Sequence, residues 1–183
     1  LLQSRANLPN APRLQNQQVR DLRSVQPPRS GSFYGVSGKE AEYEKLIDQE
    51  IESLYKLSLQ FKRSRSRGEI WLRLAERYVE KAKSLEFHEQ QKYDENLKKF
   101  VEKKSDLKPQ LDFRLPREYN RKAVELYEWF VRDFPTDKKM DQALFFLGYN
   151  NFELGNEQKG EIYYGRLLRD YPDSLFVPES YFA

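Results

Sequence analysis

The chain has 183 residues and a mass of 22.0 kDa; 38% of the residues are hydrophobic, 33% are charged, and the mean hydropathy is -0.91. That length supports one folded domain with appendages, and so little apolar material must be concentrated along helix stripes of a thin body, which argues against a thick enzyme core. The 32 basic and 29 acidic residues nearly cancel, and a net charge of +3 makes no global case for nucleic acid or an anionic membrane.

Residues 1–37 read as a disordered basic arm. They are rich in Pro and Gln, and Arg5, Arg13, Arg20, Arg23 and Arg29 face a single acid, Asp21. Leu8, Leu14, Val19, Leu22 and Val25 offer only a short amphipathic stretch, too little area to offset an ordering entropy of about 1–2 kcal/mol per residue. Residues 38–67 read as an amphipathic helix ending in a basic run. Ser37 and Glu40 stand at capping-box spacing, and Tyr43, Ile47, Ile51, Leu54, Leu57 and Phe61 form an apolar stripe to about Lys62. Arg63, Arg65, Arg67 and Gly68 then end it.

Residues 68–183 read as a helical repeat domain cut short at its C-terminal end. A helix from Glu69 could run to Lys104 without Gly or Pro, its apolar positions thinning after Phe87. Pro109 and Pro116 make the next stretch a connector, and Arg117 to Phe134 predicts a helix with Ala123, Tyr127, Phe130 and Phe134 on one side. Met140 to Leu154 and Glu157 to Tyr171 predict a helical pair joined at Gly155 and Asn156, and a further helix starts before Ala183.

Residues 132–146, RDFPTDKKMDQALFF, align without gaps to 169–183, RDYPDSLFVPESYFA, a period of 37 residues. Pro135 and Pro172 are equivalent in that alignment, as are Phe145 and Phe182. Self-similarity at this period marks a solenoid of stacked helix pairs, an all-α fold. Leu144, Leu147, Gly148, Phe152, Gly160, Tyr164 and Pro172 follow the large, Leu-Gly, aromatic, small, aromatic, Pro order of the tetratricopeptide repeat. Trp71, Leu74, Ala75 and Tyr78 match its first-helix pattern, with Ala75 in the glycine's place. On these residues the chain resembles the tetratricopeptide repeat (TPR) family; its Asp170 to Ser174 joint is similar to that of outer-membrane assembly lipoproteins and gram-negative periplasmic scaffolds, and the Trp71 to Tyr78 stretch in company with the later repeats is similar to TPR proteins of gliding bacteria that serve motility and envelope machines. The resemblance covers roughly half the chain and departs from the pattern at Asn151, at Gly160 and between Tyr78 and Arg117. It implies a TPR-like α-solenoid of antiparallel helix pairs and a periplasmic or outer-membrane location, the alternative being a cytoplasmic adaptor for signalling or polarity proteins.

The chemistry-bearing residues are few. Without cysteine there is no disulfide, zinc-thiolate site or thiol nucleophile. The one histidine, His88, sits among helical charges and reads as solvent-facing, so neither a triad nor a histidine metal cluster can form. No phosphate loop, G-x-S-x-G or paired-glycine fingerprint occurs, and no run of about 18 apolar residues spans a membrane. We therefore expect no catalysis, no cofactor, no metal and no small-molecule substrate.

The expected function is a protein-protein interaction scaffold whose partners belong to a multiprotein complex, or include further repeat units of the same chain. The absence of an initiator Met fits a piece of a longer protein, and the apolar end at Leu175, Phe176, Val177, Tyr181 and Phe182 fits a chain that continues, a partner that covers this end, or a last helix folded back on the preceding pair. In the complete unit Gln142, Phe145, Tyr149 and Glu153 stand about one turn apart and read as groove residues, with repeat-to-repeat packing as the other reading of Phe145. Arg63, Arg65 and Arg67 form a candidate basic patch for an acidic protein or anionic lipid; without interleaved aromatics, nucleic acid is not expected there.

Overall fold

The computed structural model describes residues 19–28 and 39–181. Among them lie six helices and no strand: α1 (Lys39–Gln60), α2 (Arg67–Val101), α3 (Arg114–Asp133), α4 (Met140–Glu153), α5 (Glu157–Asp170) and α6 (Val177–Ser180). Proline position explains one boundary that differs from the sequence reading. Pro116 does not lie in a connector but in the first turn of α3, where its missing N–H has no helical acceptor to lose.

Each helix packs against the next in the chain in the opposite direction. Trp71 meets Trp129 edge-on at 5.5 Å between ring centroids, and Tyr78 meets Tyr119 at 5.6 Å, which fixes α2 antiparallel to α3. Tyr127 stacks on Phe146 at 5.7 Å across α3 and α4, and Phe152 stacks on Tyr164 at 5.5 Å across α4 and α5. The two hairpins, α2/α3 and α4/α5, then lie side by side. The Lys139 Nζ donates to Glu69 at 2.8 Å and Gln142 Nε2 to Glu76 at 2.7 Å, so α2 and α4 run in the same direction.

The 37-residue sequence period is present in the backbone. Phe134 and Tyr171, each before a proline, take φ/ψ of -130/54 and -137/57, because the pyrrolidine ring bars the α region to its predecessor. The next turn closes identically in both units: the Asp137 N–H donates to Phe134 O at 3.0 Å and the Ser174 N–H to Tyr171 O at 3.0 Å. The Met140 N–H then donates to Asp137 O at 3.2 Å, as does the Val177 N–H to Ser174 O at 3.1 Å, opening α4 and α6. Short polar side chains assist both turns, with Asp137 Oδ1 accepting from the Lys139 N–H and Ser174 Oγ from the Phe176 N–H.

Between the paired helices two glycines set the approach. A Cβ on Gly148 would overlap the ring of Tyr164, and one on Gly160 would lie 2.5 Å from the ring of Phe152. Each helix thus lays an aromatic ring on the other's glycine. Asn151, at the pattern's missing aromatic, is buried with its Nδ2 donating to Leu147 O at 2.8 Å. At the end of α4, Gly155 adopts φ 76 and lets the N–H groups of Gly155 and Asn156 reach Phe152 O and Asn151 O, satisfying the last carbonyls.

Three further expectations are corrected. The α1 stripe is rotated: Glu44, Ile47, Ile51 and Ser58 are buried, whereas Tyr43, Leu57 and Phe61 are exposed. The arm is not unstructured over residues 19–28, which pack as a strap on the bundle; its residues 1–18 and 29–37, and Ser37 as a cap, lie outside the described residues. In the strap Leu22 and Val25 are buried, Arg20 pairs with Asp133, and the hydroxyls of Tyr55 and Tyr78 donate to Leu22 O and Val25 O at 3.1 and 2.5 Å. Aromatic hydroxyls facing the strap backbone compensate for its sparse apolar area. His88 is the third correction: it turns inward against α1, its Nε2 2.5 Å from Glu44 Oε1, and Ser84 Oγ donates to the same oxygen.

Candidate functional site

Trp71, Leu74, Ala75 and Tyr78 are all buried in the main core with Ala123, Leu126, Tyr127 and Phe130 of α3. Leu144 and Met140 form a second, smaller core with Leu167 of α5, closed by Phe145 and Phe176. These are packing positions. Phe145 stacks on Phe176 at 5.0 Å, tying α4 to the segment that opens the following unit.

The other three groove residues divide between contact with α2 and solvent. Gln142 is engaged with Glu76, and the Lys83 ammonium sits 4.8 Å from the centroid of the Tyr149 ring. Burial, with Glu153 close by, pushes the Tyr149 hydroxyl up to about 12. Glu153 itself is exposed at the end of α4. Burial likewise raises the Glu86 carboxyl on α2, with the nearby Glu153 charge adding to it. Hence Gln142 and Tyr149 line the seam between α2 and α4, Glu153 stands exposed at its end, and Phe145 packs toward the following unit.

An open cleft lies beside that seam. It has a volume of about 570 Å³ and runs between α1 and α2 to the start of α4. The α1 wall carries Leu54 and the exposed side chains of Leu46 and Leu57, interleaved with Gln49, Glu50 and Ser53. The other carries Glu69, Glu76, Arg73, Arg77 and Lys139. These charges are held in place: Arg77 Nε reaches Glu50 at 2.7 Å across the cleft and Arg73 Nε reaches Glu69 at 3.3 Å. Hydrogen bonding from Lys139 holds the Glu69 carboxyl below its ordinary range. The cleft thus presents three leucines among polar residues on its α1 side and fixed charges of both signs on the other, with the Glu50–Arg77 pair joining the two. Sequence reading missed it because its walls come from α1 and α2, and the pairing of Glu50 with Arg77 leaves no local signal. Leu46, an apolar residue off the main α1 stripe, is the one trace in the sequence.

The basic run does not stay together. Arg63 and Arg65 are exposed, but Arg67 is buried under the strap, 3.5 Å from Asp133 and with its guanidinium 4.8 Å from the Phe134 ring centroid and 5.4 Å from that of Trp71. It joins Arg20 on the same aspartate and serves the core. Among the described residues no group of three or more His, Cys, Asp or Glu is placed to hold a metal ion, and no helix is long and apolar enough to cross a membrane.

Set against family models, curated proteins and solved structures, the chain matches none.

Proposed function

We propose that the chain is a non-enzymatic scaffold of the TPR-like solenoid kind, which holds a protein partner in the cleft bounded by α1, α2 and the start of α4. The 37-residue period in both sequence and turn geometry carries this reading, because repeated helix pairs stacked in parallel leave a continuous side for a partner segment. The cleft supplies what such a segment needs. Exposed Leu46 and Leu57 offer apolar burial, and the paired charges opposite set register and direction.

A bacterial envelope complex is the setting favoured by the resemblance at Asp170 to Ser174, a motility complex by that at Trp71 to Tyr78 beside the later repeats, and the cytoplasmic adaptor remains the competing setting. The buried position of Arg67 weakens the arginine-run reading for nucleic acid or lipid.

The test is affinity capture from native lysate of the producing cell with the full chain, beside Leu46→Asp and Leu57→Asp combined. Both side chains are exposed, so the variant should keep its melting temperature while losing the partner. A partner retained at full strength by the folded variant would remove the cleft from the proposal. Fractionation of the captured partner to the envelope or the cytoplasm decides the setting.

A further inference from the structure

The α2 helix is longer than the bundle it serves. Its 35 residues extend about 52 Å at a rise of 1.5 Å per residue, whereas the 14 residues of α4 extend about 21 Å. The last buried residue of α2 is Leu85, and none of residues 86–101 is buried. Glu44 near the start of α1 sits at the level of His88, and Glu153 at the end of α4 lies near Glu86. Beyond about residue 93, α2 therefore stands clear of the neighbouring helices. The chain turns at the tip and returns alongside, since the Asp112 carboxyl feels the Lys92 charge.

The tip, residues 98–108, has a distinct composition. Lys98, Lys99, Lys103, Lys104 and Lys108 face only Glu102 and Asp106, and all seven are exposed. Lys104 pairs with Glu102 at 2.6 Å, both in solvent. Within four residues of the turn on either side stand Val101, 71% exposed, and Leu107, 80% exposed. The turn is built as a helix stop in which the Lys103 N–H donates to Phe100 O and the Lys104 N–H to Lys99 O. It places Lys103 at φ 56, a left-handed position where Gly155 serves in the equivalent stop of α4. A lysine thus occupies a site that glycine fills without strain.

We infer that this tip is a second binding surface, which docks on an anionic lipid bilayer. Lysine ammoniums on flexible stems sit at headgroup level while two exposed aliphatic side chains enter the acyl boundary, and a projection of this length lets the tip touch a flat surface without the bundle colliding. A specific protein contact is built from different material. Tyr, Trp and Arg, the residues that dominate protein hot spots, are absent from residues 98–108. The surface is independent of the cleft, which opens between α1 and α2 on the bundle itself.

The test is co-sedimentation of the full chain with vesicles of phosphatidylcholine alone and of phosphatidylcholine mixed with phosphatidylglycerol. Binding at least about tenfold stronger to the mixed vesicles is expected, falling steeply with added salt. Each Lys→Gln change at the tip should weaken it about fivefold. Val101→Ser with Leu107→Ser should weaken it at unchanged charge, and Leu107→Trp should shift its emission to the blue only with the mixed vesicles. Arg63→Gln with Arg65→Gln should leave binding intact. Every altered side chain is exposed, so circular dichroism should be unchanged throughout. Equal binding to neutral vesicles, or binding that survives removal of all five lysines, would overturn the inference. So would absence of binding to the mixed vesicles; loss of a captured protein in the five-lysine variant would then assign the tip to an acidic protein.

Discussion

Glycine has three different roles in the α4/α5 hairpin, and the surroundings of each decide the effect of a methyl group. At Gly148 the added carbon would meet the ring of Tyr164, itself 5% exposed and held between Gly148 and Phe152. Gly148→Ala should therefore lower stability by about 1–3 kcal/mol through overpacking, read from urea unfolding. At Gly165 nothing lies within 4 Å, so Gly165→Ala should raise stability by about 0.5–1 kcal/mol in the same measurement. Gly155 alone needs its positive φ. The order of small and aromatic residues was legible in the sequence, but which ring covers which glycine was not. His88 makes the same point about polar residues: neighbouring helical charges suggested solvent, yet α1 brings Glu44 against it. His88→Ala should cost about 1–3 kcal/mol by leaving the 4% exposed Glu44 with one donor fewer, seen as a lower urea midpoint at pH 7. An unchanged midpoint would show that Ser84 alone satisfies the carboxylate.

Among elements, helices with strong periodicity and clear stops were readable, and contacts between distant segments were not. The prolines at 135 and 172 marked the ends of α3 and α5 because they act on the residue next to them. The strap of residues 19–28 was misread because its order depends on partners more than 25 residues away, the hydroxyls of Tyr55 and Tyr78 and the carboxylate of Asp133. Its spacing of Val19, Leu22 and Val25 hinted at one apolar side without saying what covers it. Val25 is fully buried, so Val25→Asp should destabilise the whole domain by about 3 kcal/mol or more, measured by urea unfolding. A strap that merely lay along the surface would leave the transition unmoved.

At the scale of the molecule the buried tyrosines predict an alkaline limit. Burial raises the hydroxyls of Tyr78 and Tyr127 above their ordinary value of 10.0, and those of Tyr163 and Tyr164 to about 12. A raised folded-state value means the neutral form is the one the fold holds. Stability is then fully present below pH 10 and declines as pH rises through the folded values. For Tyr78 and Tyr127 the loss is about 1.4 kcal/mol per pH unit each. Tyrosinate absorbance should lag the titration of free tyrosine and then rise together with loss of helical circular dichroism. A simple titration centred at 10, with the helices intact, would contradict the burial of these groups.

By itself the sequence determined the all-helical class, the length of α2 and the period of 37 residues, because propensity, proline stops and turn residues act over a few neighbours. Only the tertiary structure decided that Arg67 leaves the basic run for Asp133, that α1 and α2 enclose a cleft, and that α2 outruns the bundle and carries its lysines clear of it. Those outcomes depend on which helix faces which. Apolar area and charge pairing summed over separate segments settle that choice, and no local window of sequence contains the sum.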